Sequence, residues 1–313
     1  MNTAAPRRVH VRAPGKVNVA LAVGGVQPDG YHDVASVYLA VSAYEDVWAS
    51  EAEGFTIAVA GEAGVDVSGV PLDEGNLAVR AARLLAEEIG RPGGVHLEVR
   101  KGVPVAGGMG GGSADAAAAL VACDALWGAG LSAERLHALA ARLGADVPFA
   151  LAGGVAVGLG RGDELSPVAA AGRYDWVIVT SGDGLSTPAV YGELDALRLR
   201  SALPPAGVPG IDDDLLHALA AGDAGMLAAS LRNDLQPAAL SLRPDLATVV
   251  GAGEASGALA GIVSGSGPTL AFLVRDPAAA AGLRLRLEDA GHAARHVHGP
   301  VPGARVVDEV RPA

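Results

Sequence analysis

The sequence predicts an α+β fold. Strand-like and helix-like segments mix along the whole chain, and strands often follow one another directly, unlike the strict alternation of a doubly wound sheet. A length of 313 residues suffices for one large or two ordinary domains, and half of those residues are hydrophobic, enough for a sizeable core. The formal net charge of −12 argues against a nucleic-acid binder, whose phosphate contacts need a basic surface. It leaves room for a local basic pocket that takes a small anion. The single cysteine, Cys123, rules out an intrachain disulfide and a thiolate zinc site, and its apolar neighbours read as core. The first ten residues lack the apolar stretch of a signal peptide. No segment reaches the roughly 18 apolar residues of a membrane span. The expectation is a cytoplasmic protein with neither a nucleic-acid nor a membrane partner.

The elements follow in order. "RVHVRAPGKVNVALAV" alternates as two strand segments broken at Pro14-Gly15. Side chains two apart share a strand face, so Lys16 and Asn18 point one way and Val17, Val19 and Leu21 the other. Strands are expected at Val34–Val41 and Val47–Val59. Asn76 reads as the N-cap of a helix through Ile89, stopped by Gly90 and Pro92. "VHLEVRK" (95–101) alternates as a strand. A glycine loop precedes a helix from about Ser113 to Trp127, and Ser132 caps another that ends at Gly144. "GGVAVGLG" (153–160) is a short strand, and the polar stretch 160–173 reads as a crossing between domains. "YDWVIVT" (174–180) is a strand. Helices are expected at 188–198, 212–221, 223–233 and 244–256. "GIVSGSGPTLAFLV" (261–274) reads as two strands around a glycine turn, before a helix at 277–290, a short strand and a Pro/Gly-containing tail.

The stretch "PVAGGMGGGSADAAAAL" (104–120) carries the clearest chemistry. Five glycines fall within six residues, just before a good helix. Glycine inside regular structure costs roughly 0.5–1 kcal/mol relative to alanine, which is reasonable where something approaches the backbone closely. A glycine run leading into a helix exposes amide donors beside the positive end of the helix dipole, and together these bind phosphate. The Ser113 hydroxyl is placed to cap the helix, touch phosphate or meet a metal, and Asp115 falls in the first turn. The loop lacks the Gly-Lys-Ser/Thr of a Walker A motif and a complete G-x-G-x-x-G, and a plain glycine turn stays open as a reading.

Four shorter stretches are ambiguous alone. "PGKVN" (14–18) puts Lys16 and Asn18 on one face. "GADVPFAL" (144–151) holds Asp146 before Pro148, which is also ordinary turn chemistry. "PDGYHDV" (28–34) sets Tyr31 and His32 after a turn, where they could grip a flat ring or simply begin a strand. "SGSGPT" (264–269) is a second glycine turn or a hairpin.

Taken in order, "APGKVN", "DGYH", "PVAGGMGGGSADAA", "GADVPF" and "SGSGPT" resemble the GHMP kinase superfamily, from about Val11 to Val274. "DGYH" with "GADVPF" is similar to its branch that phosphorylates a cytidine diphosphate-linked methylerythritol in isoprenoid precursor synthesis, as are "STPAVY" (186–191) and "NDLQP" (233–237). Val105, Ala106, Met109 and Ala114 depart from the usual loop by small apolar changes.

The resemblance implies a two-domain GHMP kinase fold. A nucleotide-binding N-terminal domain (ribosomal protein S5 domain 2-like) would span 1–160 and a ferredoxin-like C-terminal domain 161–313, with the active site in the cleft between them. It implies ATP and Mg²⁺, with transfer to the substrate's 2-hydroxyl. Lys16 and Asp146 align with the catalytic pair: Asp146 takes or orients the hydroxyl proton, and Lys16 orients the hydroxyl and favours an ionised Asp146. Asn18 and Thr187 would hold the methylerythritol part. His32 would read the cytosine edge, with Tyr31 and Tyr191 placed to stack on it. Asn76, Leu77 and Lys101 match positions near the adenine. Pro104, Gly107, Gly108, Gly110, Gly111, Gly112, Ser113 and Ala114 match the phosphate loop. The alternatives are a homoserine- or mevalonate-type kinase, which has no cytosine to read, and a non-catalytic nucleotide-binding protein on the same fold, which would not need Lys16 and Asp146.

Overall fold

The computed structural model describes residues 7–182, 184–201 and 207–310. Residues 1–6, which contribute to the leader reading, and 311–313 of the expected tail lie outside them.

Two strands set the frame. β1 (Arg8–Val26) and β2 (His32–Ala52) form one long antiparallel hairpin. The break expected at Pro14-Gly15 is instead a register shift within a continuous strand. An irregularity of this kind is where a strand tolerates proline, which has no N–H to give the ladder. Likewise the segments expected at 34–41 and 47–59 are β2, running unbroken to Ala52, and a separate β3 (Thr56–Gly61) after a bend. A second shift in β1, between Asn18 and Ala20, corrects the facing of Leu21. The extra residue resets the alternation, so Leu21 lines the same cavity as Lys16 and Asn18.

α1 (Leu77–Glu88) begins as expected, with Asn76 Oδ1 accepting from the Ala78 amide at 2.9 Å. β4 (Gly94–Lys101) pairs with β2 and, in parallel, with β3. α2 (Gly111–Trp127) follows, and Ala114, Ala116–Ala119, Leu120, Ala122 and Cys123 are all fully buried. A helix apolar all round belongs inside, and its alanines let α1, β1, β2 and α4 (Val147–Ala152) approach closely. Burial pushes the Cys123 thiol up, so it stays an inert core group. Ser132 caps α3 (Ala133–Ala141) through the Arg135 amide.

β5 (Val155–Leu159) lies against β2 and carries β6 (Glu164–Pro167) on its other edge. The expected domain boundary at 160/161 therefore falls inside a hairpin of the first sheet, and the crossing comes only after β6. β7 (Tyr174–Thr180) opens the second sheet. α5 (Thr187–Arg200), α6 (Asp213–Ala221) and α7 (Ala224–Ser230) come next. α7 stops short of the expected 233, because Arg232–Asn233 extends as β8, parallel to β1. α8 (Gln236–Leu242) has no counterpart among the expected elements, and α9 (Asp245–Ala255) matches the helix expected at 244–256. β9 (Ala260–Val263), β10 (Leu270–Val274), α10 (Pro277–Asp289) and β11 (Ala293–Gly299) complete an antiparallel sheet of order β11-β7-β10-β9. This is the ferredoxin-like order, with α5 to α8 inserted.

The expected tail is instead β12 (Arg305–Val310), which returns to pair with β1. The N-terminal unit thus closes with residues from the far end of the sequence, which no local pattern announces.

Phe272 anchors the second domain. It is fully buried, and a Cβ on Gly253 or Gly261 would run into its ring. Phe272→Ala removes that filling and is expected to cost about 3–5 kcal/mol, read as a fall in the urea midpoint.

Candidate active site

Elements from both domains converge on the cleft. Lys16 enters from β1 with its ammonium buried. Its Nζ donates to Asn18 Oδ1 at 2.6 Å and to the Gly108 carbonyl at 2.8 Å, and lies 3.7 Å from Asp146 Oδ2. Burial lowers the Lys16 pKa, against the pull of Asp146. Asn18 is itself oriented: its Nδ2 donates to Ser36 Oγ, which donates to the Ala20 carbonyl. Asp146 is the N-cap residue of α4, yet its carboxylate makes no capping bond. It is left to face Lys16.

The glycine loop passes beside this pair. Gly108 and Gly110 have φ of +76° and +73°, a region that favours glycine. A Cβ on Gly108 would strike the Ser264 carbonyl, and one on Gly110 would point at Lys16 and the Asp146 carboxylate. Gly107 is crowded by Thr269, and a Cβ on Gly111 would lie 2.8 Å from Glu45 Oε1. Much of the glycine content therefore serves contacts with the protein itself. The helix starts at Gly111, earlier than expected. Ser113 does not cap it, and Asp115 sits beyond its first turn. The Gly111, Gly112 and Ser113 amides have no acceptor within the helix, and Gly112 is exposed. The Ala114 amide is already spent on the Gly110 carbonyl, and its methyl is fully buried, so Ala114 serves packing.

Three cavities meet here. The first, about 220 Å³, is lined by Lys16, Asn18, Tyr38, Asp146, Thr187 and Ser266, among others. Thr187 Oγ1 lies 2.9 Å from Ser266 Oγ, which ties α5 to the 264–269 turn. Val34, Arg161, Thr187 and Tyr191 also line the second cavity, of about 600 Å³, together with Tyr31, His32 and Asp195. Tyr191 is 5.0 Å from the His32 ring, centroid to centroid, and burial pushes its hydroxyl up to about 12. Tyr31 stands at the exposed lip, with the Arg161 guanidinium 4.2 Å from its ring centre. The third cavity, about 270 Å³, lies on the other side of the glycine loop and is lined by Asn76, Leu77, Lys101, Pro104, Gly112 and Asp115, among others.

Lys101 is not a free cation. Its Nζ bonds Glu45 Oε1 at 2.9 Å and Asp115 Oδ2 at 2.5 Å, all three groups buried. Burial lowers its pKa, but the two carboxylates outweigh that and hold it above the usual lysine value. Glu45 is pushed well up, first by burial and then by the charge of Asp115.

Most of the sequence-derived residues thus line one cleft and its side cavities, whereas Gly107, Gly111, Ser113 and Ala114 line none of the three. Sequence reasoning missed Arg161, Tyr38 and Asp195, and it gave Ser266, inside "SGSGPT", no role of its own. Arg161 lies in a bland Gly/Asp stretch. Asp195 had a signal, since it stands four residues after Tyr191 and so on the same helix face.

A two-domain fold with a lysine–aspartate pair beside a glycine loop that opens a helix defines a class of small-molecule kinases. The model "GHMP kinases N terminal domain" matches residues 76–154, and "GHMP kinases C terminal" matches 215–293. The chain is 58% identical to a 4-diphosphocytidyl-2-C-methyl-D-erythritol kinase of Leifsonia xyli subsp. xyli, over 96% of this chain and 99% of that one. It is 56% identical to one of Paenarthrobacter aurescens, over 97% of each. A crystal structure of a 4-(cytidine 5'-diphospho)-2C-methyl-D-erythritol kinase superposes with a TM-score of 0.75 at 32% identity, covering 92% of this chain and 98% of that one. The chain belongs to the 4-diphosphocytidyl-2-C-methyl-D-erythritol kinase family of GHMP kinases. No helix among the described residues is long and apolar enough to cross a membrane.

The buried triad sets a pH dependence. A carboxyl whose folded pKa lies above its unfolded value loses stability as pH rises from the unfolded value towards the folded one. Glu45→Gln removes that loss. Relative to the wild type it is expected to gain stability as the pH rises from 5.5 to 8, measured by denaturant unfolding at both.

Proposed function

We propose that this chain transfers the γ-phosphoryl group of ATP to the 2-hydroxyl of 4-diphosphocytidyl-2-C-methyl-D-erythritol, in the cytoplasm, for isoprenoid precursor synthesis. The observation that carries the reading is the Lys16–Asp146 pair at 3.7 Å, set between the helix start and a cavity lined by His32, Tyr31 and Tyr191.

The residues divide the work. The Gly111, Gly112 and Ser113 amides hold the phosphates with the positive end of α2 behind them. The adenosine end occupies the cavity of Asn76, Leu77 and Pro104, with Lys101 and Asp115 forming its inner wall. The methylerythritol part lies against Asn18 and Thr187. The cytosine enters the larger cavity beside His32, between Tyr191 and Tyr31. Asp146 takes the proton of the 2-hydroxyl as its oxygen bonds the γ-phosphorus. The bond from that phosphorus to the β-phosphate oxygen breaks, and ADP leaves. Lys16 spends two of its three N–H groups on Asn18 and Gly108. The third serves the reacting centre, where positioning and charge stabilisation do most of the work.

The donor set also suits Mg²⁺, which binds chiefly through nucleotide phosphates and few protein groups. Among the described residues there is no cluster of three acidic, histidine or cysteine side chains that would hold a metal on its own. Ser113 is the protein group we assign to it. A Mg²⁺ held by Ser113 and the nucleotide phosphates would neutralise charge on the transferred phosphoryl group.

Turnover of a substrate panel by coupled ADP release tests the reading. The cytidine substrate is expected to be phosphorylated. Phosphorylation of homoserine or mevalonate in its place would overturn the substrate assignment. Asp146→Asn is expected to lose kcat by about 10²–10⁴-fold while ATP still binds in a filter or calorimetric assay.

A further inference from the structure

His32 is held from outside the strand that carries it. Its Nε2 lies 3.0 Å from Asp195 Oδ1, and its side chain is only 6% exposed. Asp195 stands one turn beyond Tyr191 on α5, and both side chains line the 600 Å³ cavity with His32. A carboxylate only accepts hydrogen bonds, so the proton of a neutral imidazole facing it must sit on Nε2. The other ring nitrogen, Nδ1, then carries a lone pair. It has no hydrogen-bond partner among the described residues, which leaves it to a ligand in the cavity.

We infer that Asp195 is a positioning residue for base selection: it locks His32 in the Nε2–H form, so that Nδ1 accepts from an amino-pyrimidine and repels an oxo-pyrimidine. Cytosine presents an amino donor at its 4-position, where uracil presents a carbonyl acceptor. A fixed acceptor rewards the first and sets two lone pairs against each other in the second, so selectivity comes as much from rejection as from attraction. Without Asp195 the ring is free to move its proton to Nδ1, and the same side chain then suits the wrong base. The remaining charged group of the cavity, Arg161, pairs with Asp29 and is a donor to either base. Directed at the 2-carbonyl that the two bases share, it does not discriminate between them. The inference rests on the proposed cytidine substrate and adds which group makes the site read cytidine.

Calorimetric titration of cytidine diphosphate and uridine diphosphate at pH 8 tests it, with wild type, Asp195→Ala, Asp195→Asn, His32→Ala and the double variant Asp195→Ala/His32→Ala. In the wild type, cytidine diphosphate is expected to bind more tightly. Asp195→Ala is expected to reduce that preference about tenfold or more, with the kinetic penalty falling on the KM of the cytidine substrate rather than on kcat or on the KM of ATP. Asp195→Asn, which donates as well as accepts and so no longer dictates the tautomer, gives an intermediate preference. The double variant is expected to show no more loss of preference than His32→Ala alone. A purely structural tie between α5 and β2 would weaken both nucleotides equally. Such equal weakening, an unchanged preference in both Asp195 variants, or additive losses in the double variant would overturn the inference while leaving the cytidine reading in place. Equal binding of the two nucleotides by the wild type would overturn both.

Discussion

One carbonyl oxygen joins the parts of this molecule. The Gly108 oxygen accepts from Lys16 Nζ and from Ser264 Oγ, so β1, the glycine loop and the 264–269 turn of the second domain meet at a single atom. The loop reaches this position only because Gly108 adopts a positive φ and carries no side chain to strike the Ser264 backbone. Remove that approach and the lysine loses a fixed acceptor, the turn loses its seat, and the cavity between the domains loses its floor. A hydrogen bond to a charged donor is worth more than a neutral one, and this one also sets geometry, since Lys16 has just one N–H left to aim.

Buried charge is managed differently on the two sides of the loop. Towards the reacting centre, a lysine is kept poorly solvated near a partly exposed aspartate at 3.7 Å, a loose pair that a hydroxyl can bridge from the side. Towards the nucleotide cavity, Lys101 is gripped by two carboxylates. The first arrangement costs stability and leaves groups available to a ligand. The second ties β2, β4 and α2 together and leaves Asp115 Oδ1 buried without a hydrogen-bond partner among the described residues, a sign of charge packed to the limit of what the site satisfies.

Local structure was legible wherever local chemistry decides it. Asn76 and Ser132 cap the helices they were expected to cap, because a short polar side chain beside orphan amides has one obvious use. The motifs in "PGKVN", "DGYH" and "GADVPF" came together because the order of short signals carried more than any one of them. What stayed hidden depends on distant atoms. Leu21 changed face through a register shift that only its pairing with β2 reveals. The glycines at 107, 108 and 111 looked like room for a ligand, whereas Thr269, Ser264 and Glu45 from elsewhere in the chain occupy much of that room. Arg161 and Asp195 carry no motif and gain meaning only from the cavity they line.

The return of β12 to β1 has a consequence for how the protein is made. Until residue 305 and those after it leave the ribosome, the outer edge of β1 from Arg8 to Arg12 lacks its neighbour, and an open strand edge is a template for wrong pairing. At ordinary rates of synthesis that interval lasts roughly 15–60 s. The arginines of that edge, with Arg8 bound to Glu98 and Arg12 to Asp46, place charge along it during the wait. The half of the chain translated first is thus the half finished last.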